Sequence, residues 1–152
     1  MAEIVIEGLD QFQAKLAAMS AEAKRRIAKD AVDEGAAVVQ FHAQMNARNV
    51  FGRRQRGQLR NSIYPESRTT ETGAEAVIGP HVIYGRIQEF GGTIRPVQKQ
   101  VLHFKIDGQD VFTKKVTLPA RPYLAPAVND HKDQIIDVMA ASILDNLAEF
   151  EA

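Results

Sequence analysis

Cysteine is absent from the 152-residue chain, so a disulfide framework, a thiolate metal site and a cysteine nucleophile are all excluded, and a protein made and working in a reducing cytosol is expected. No apolar run approaches the roughly 20 residues needed to cross a bilayer. The opening Met1–Gly8 lacks a basic stretch ahead of an apolar core, so no export signal is read there and a soluble protein without membrane contact is expected. Net charge is missing too. Nineteen Lys and Arg balance nineteen Asp and Glu, which argues against a free nucleic-acid binder, whose affinity rests on a basic excess.

Catalytic patterns are equally scarce. His42, His81, His103 and His131 fall in four different expected elements, with no pair at metal-binding spacing, so neither a metal nor a cofactor is expected. Serine and threonine occur without a nucleophile elbow, and the glycines make no phosphate-cradling loop. Asp133 and Asp137 stand one turn apart on what reads as a solvated acidic face rather than an acid–base pair. The expectation is a non-enzymatic protein.

What the chain does contain is helical and strand periodicity in separate blocks. Leu9, Phe12, Leu16 and Met19 recur at three- and four-residue steps, which predicts a helix over about 9–18. Ser20 offers a capping oxygen. A longer pattern through Ile27, Ala31, Val38, Phe41 and Met45 predicts a second helix to about Arg48, and Gly35 weakens it by only about 1 kcal/mol. Strands are predicted over 59–64, 74–78, 101–106 and 111–116, the last two joined by a turn at Asp107-Gly108-Gln109.

Gly79-Pro80 closes the second strand, and Val82, Ile83, Tyr84, Ile87 and Phe90 predict one apolar side of a short helix ending at Gly91-Gly92. Pro119, Pro122 and Pro126 predict an extended approach to a final helix carrying Ile135, Ile136, Met139, Ile143, Leu144 and Leu147. Gly79, Pro80, Gly91, Gly92 and the three prolines read as fold determinants. The sum is a single α+β domain over 1–152: a central, mainly antiparallel sheet of three to four strands, with N-terminal helices and a C-terminal helix packed on it.

Charge is unevenly distributed. Arg48, Arg53, Arg54, Arg56 and Arg60 lie within a thirteen-residue stretch that has no acid, and its glycines mark a flexible basic arm at about 48–58. Each guanidinium can pair with a carboxylate or a phosphate. From Asp130 onward the chain is acidic, with Asp130, Asp133 and Asp137 as interface candidates. A basic and an acidic region on a neutral protein suit contact between subunits.

Four segments in order carry a resemblance: Gly57-Gln58-Leu59-Arg60-Asn61-Ser62-Ile63, Val77-Ile78-Gly79-Pro80, Tyr84-Gly85-Arg86-Ile87-Gln88-Glu89-Phe90-Gly91-Gly92, and Leu118-Pro119-Ala120-Arg121-Pro122-Tyr123-Leu124-Ala125-Pro126-Ala127. Together they resemble the tail-completion or head-tail joining protein family of long-tailed bacteriophages and prophages. The chain departs from that pattern at Arg56, where threonine is common, and at Ala125, where a basic residue is common.

The resemblance implies a virion structural protein of the neck or tail top, made in the host bacterial cytoplasm. It implies a sixfold or twelvefold ring of copies around the DNA channel, neighbouring neck, connector and tail-tube proteins as partners, and non-specific contact with channel DNA. Alternatives are a tail-terminator or head-closure protein at a neighbouring level, or a small DNA-binding regulator using the same arginines.

Overall fold

The computed structural model describes residues 9–51, 57–106 and 108–149. The chain is α+β, as its periodicity predicts. The elements are α1 (Leu9–Ala18), α2 (Ala21–Phe51), α3 (Gln58–Asn61), β1 (Ile63–Thr69), β2 (Ala74–Pro80), α4 (Gly85–Phe90), β3 (Gly92–Ile94), β4 (Leu102–Ile106), β5 (Gln109–Thr113), β6 (Val116–Leu118), α5 (Leu124–Asn129) and α6 (Lys132–Glu149). Among the described residues the strands form three two-stranded ladders, β1 with β2, β3 with β6 and β4 with β5, where the sequence suggested one central sheet.

The chain divides into two compact units. Among the described residues the first comprises 9–37, 65–77 and 133–149, and the second 38–51, 57–64, 78–106 and 108–132. In the first, Met19, Ile27 and Leu147 are buried together, with Leu16, Ala23 and Ile143 packed against them. Ser20 caps α2, its Oγ accepting from Ala23 N at 3.1 Å, one of the amide donors that a helix start leaves without an intrahelical partner.

Two further contacts tie this unit together. Lys29 donates to Asp33 Oδ2 at 2.6 Å and to Ser67 Oγ on β1 at 3.3 Å. Hydrogen bonds from Lys29 and Ser67 hold the Asp33 carboxyl below its usual pKa. Gly35 is a point of close approach between α2 and α6: a Cβ there would lie 2.8 Å from Met139 Cγ and 2.9 Å from its Sδ. The glycine that weakens the helix locally is what lets α6 approach.

In the second unit Val39, Ala43 and Ala47 are buried at four-residue steps along α2. Ile27 and Ala31 precede them at the same spacing, and steps of four advance about 40° around a helix with 3.6 residues per turn. The buried stripe therefore winds, and it leaves Phe41 (60% exposed) and Met45 (39%) outside, although a straight apolar face would include them. Gln40 and Gln44, one turn apart, both donate to the carbonyl of the fully buried Ile63 at 3.0 Å.

Three local expectations are corrected. Residues 58–61 are helical rather than extended, because Asn61 N and Ser62 N bond back to Gly57 O and Gln58 O and the Ser62 hydroxyl donates to Leu59 O at 2.8 Å. The strand expected over 111–116 is two strands, divided where Thr113 Oγ1 and Lys115 bond each other. Pro126 lies inside α5 rather than in an extended approach; it is the third helical residue, where the missing N–H removes no intrahelical bond. The Gly108 turn does join paired strands, with Ile106 opposite Gln109, and β2 does end on Pro80.

Replacing Gly35 by leucine is expected to overpack the α2–α6 contact and lower unfolding stability by about 1–3 kcal/mol, measured by urea denaturation.

Candidate assembly site

Two of the segments singled out in the sequence meet around one carboxylate in the second unit. Glu89 on α4 is only 4% exposed. Its Oε2 accepts from Tyr123 N at 2.7 Å and Leu124 N at 3.0 Å, and its Oε1 from Ala125 N at 2.9 Å. A buried carboxylate is tolerable only when its lone pairs are matched by donors, and these are the amides that the start of α5 leaves free. No lysine or arginine is needed to pair it.

Further contacts hold the two segments together and to their surroundings. Arg121 N donates to Gln88 O at 2.8 Å. The Tyr123 ring is fully buried, its hydroxyl donates to Gly85 O at 3.2 Å, and its own carbonyl accepts from Asn46 Nδ2 at 3.2 Å. A Cβ on Gly85 would collide with the Pro80 ring. Gly91 has φ 68 and ψ −177, a region open essentially to glycine alone, and a Cβ there would lie 2.6 Å from Ala120 N.

Just beyond, β3 pairs with β6, Gly92 opposite Leu118, and the Thr93 and Thr117 hydroxyls bond at 3.2 Å. Pro119 and Pro122 are exposed beside this junction. Burial and, secondarily, the Glu89 charge push the Tyr123 phenol up to about 12.

The apolar side predicted for the helix that carries Glu89 is only partly inward: Val82 and Ile87 are half-buried, while Ile83, Tyr84 and Phe90 are exposed. Gly85 and Glu89, one turn apart, are its buried residues. Phe90 is 72% exposed, and Ile83 in the preceding turn is 103% exposed. Sequence spacing places these residues on one apolar side of the helix and gives Glu89 no part. The one available signal was that Gly85 and Glu89 share a face, the glycine giving room for the Pro80 ring.

Residues 10–91 match the model of a family described as "Bacteriophage HK97-gp10, putative tail-component". The chain belongs to this family. The match takes in the first two landmarks and the third through Gly91, while the landmark at 118–127 lies beyond it. In this HK97-gp10-like chain Glu89 bridges the two, since a residue inside the matched region binds the backbone of the region outside it. Comparison with curated proteins and comparison with solved structures returned no match. The family is one of structural phage-tail components.

The charged candidates are spread over both units. Arg48 is exposed in the last turn of α2, and Arg60 is exposed on α3 with its Nε donating to Asn61 Oδ1 at 3.1 Å. Arg53, Arg54 and Arg56 lie outside the described residues. Asp130 is exposed at the C-terminal cap of α5, and Asp133 and Asp137 are exposed on α6. Asp130 belongs to the second unit and the other two to the first.

Among the described residues no group of three or more His, Cys, Asp or Glu could hold a metal ion. The histidines stack on rings instead: His81 on Tyr64, His42 on His131 and His103 on Phe112. No helix of the described residues is long and apolar enough to cross a membrane.

Glu89→Gln replaces one of the two acceptor oxygens by a donor facing an amide, and should destabilise the protein by about 1–3 kcal/mol in urea titrations. Phenolate absorbance should show one tyrosine ionising only near pH 12, a phase that Tyr123→Phe removes and Glu89→Gln shifts to lower pH. Because the folded pKa of Tyr123 exceeds its ordinary value of 10.0, this contribution to stability is complete below pH 10 and is lost as pH rises through about 12. Gly91→Ala should cost about 1–3 kcal/mol through backbone strain alone.

Proposed function

We propose that this HK97-gp10-like protein is a structural subunit of the phage neck or tail top, joining the head to the tail or completing the tail tube as one member of a ring around the DNA channel. The observation that carries the reading, beyond family membership, is the surface of the Glu89 region. Ile83 and Phe90 stand 103% and 72% exposed, while the adjoining interior is organised around a carboxylate. Exposed apolar groups of this size favour a partner surface over water.

A ring needs a different patch of each subunit to meet the next, and separate basic and acidic regions meet that requirement. Arg48, Arg53, Arg54, Arg56 and Arg60 are the groups expected to reach partner carboxylates or the phosphates of channel DNA. Connector and tail-tube proteins above and below are the expected neighbours, and the virion is the expected location. Nothing in this role uses a catalytic group or a cofactor.

Deleting the gene should leave DNA-filled heads and separate tails under the electron microscope, whereas joined, infectious particles would refute the role. The purified protein should bind duplex DNA weakly at physiological salt. Tight binding that falls steeply with salt would instead favour a DNA-binding regulator.

A further inference from the structure

Two exposed helix faces remain that neither the Glu89 region nor the family match explains. On α2, Phe41, Met45 and Arg48 follow one another at i, i+4 and i+7, so they lie on one face, and all three are exposed. On α6, Ile136, Ala140 and Leu144 form a second outward row at four-residue steps, with Ile136 62% and Leu144 61% exposed. Asp133 and Asp137 flank its N-terminal end and are exposed as well. Each row is about 10–12 Å long at 1.5 Å per residue.

The two rows match in length, in shape and in charge. Ridges at four-residue spacing pack into grooves of the same spacing at interaxial distances of roughly 8–10 Å, and Ala140 leaves a gap at the middle of its row where a large side chain fits. Running the helices antiparallel sets Arg48 against Asp133 and Asp137, Met45 over Ala140 and Phe41 beside Leu144. A parallel arrangement would place the arginine against Leu144 and leave both aspartates facing apolar groups.

We propose that the α2 row of one copy docks on the α6 row of a second copy, and that this is the repeating contact of the assembly. The inference rests on the ring reading above and names the surfaces it uses. Two different patches are involved, so the contact can propagate from copy to copy as a ring requires, and a reciprocal twofold pair that makes it twice would sediment as a dimer and overturn the repeating contact.

The test is sedimentation of the full chain over a range of concentrations, with Arg48→Glu and Asp137→Arg variants. Both positions are exposed, so each variant should melt at the wild-type temperature while its association weakens by roughly 10- to 100-fold. An equal mixture of the two should recover assembly. When the two variants alternate, the glutamate introduced on α2 of one copy meets the arginine introduced on α6 of the next, and the following contact pairs the unaltered Arg48 and Asp137. Leu144→Asp should abolish assembly alone and in mixtures, by charging the apolar row.

Wild type that assembles together with single variants that assemble equally well would overturn the helix pairing and leave the ring reading standing. Recovery absent from the mixture, with both singles impaired, would overturn the pairing of Arg48 with Asp137. A wild-type chain that stays monomeric at the highest concentration would overturn self-association and the pairing with it.

Discussion

The second unit depends on a buried carboxylate held by backbone amides. Glu89 brings a negative charge into a site with 4% exposure, where an unmatched charge would cost several kcal/mol. Three amide donors from consecutive residues offset that cost only if the chain around 123–125 adopts one particular turn. Geometry of this kind is demanding where apolar packing is tolerant. The carboxylate thus fixes where α5 begins, which way Tyr123 points and how closely the segment at 118–122 runs past α4.

Other features follow from that closeness. The collision that a side chain at Gly91 would make with Ala120 and Leu118 shows how little room lies between the two segments. The elevated phenol of Tyr123 reports the same enclosure. With Glu89 and Gly85 on its inner face, α4 contributes little apolar surface to the interior: Ile87 is half-buried and Phe90 is exposed. A fold stabilised by polar matching at this point leaves apolar residues available for partners, which suits a tail component better than a solitary protein.

α2 shows the same division along a longer element. Its buried positions are mostly small residues, Ala31, Ala36, Ala43 and Ala47 beside Ile27 and Val39, while Phe41 and Met45 lie outside. Gln40 and Gln44 are both engaged by the carbonyl of Ile63. The alanines among them allow close approach within the chain, and two of the helix's bulkier apolar side chains are left exposed.

The sequence by itself determined the helices with strong periodicity, α1, α2 and α6, because a 3.6-residue repeat over several turns and a serine cap are local properties. It determined the β4–β5 turn at Gly108, the class of fold and the family, whose landmarks are short runs of glycine, proline and neighbouring residues. It did not determine which apolar positions of a helix are buried, because helical spacing marks a face and not its covering; Phe41, Phe90, Ile136 and Leu144 fall on the predicted apolar patterns and stand exposed. Only the tertiary structure decided that Glu89 is interior. A glutamate becomes an interior residue through donors thirty-four to thirty-six positions away, and no local pattern announces them.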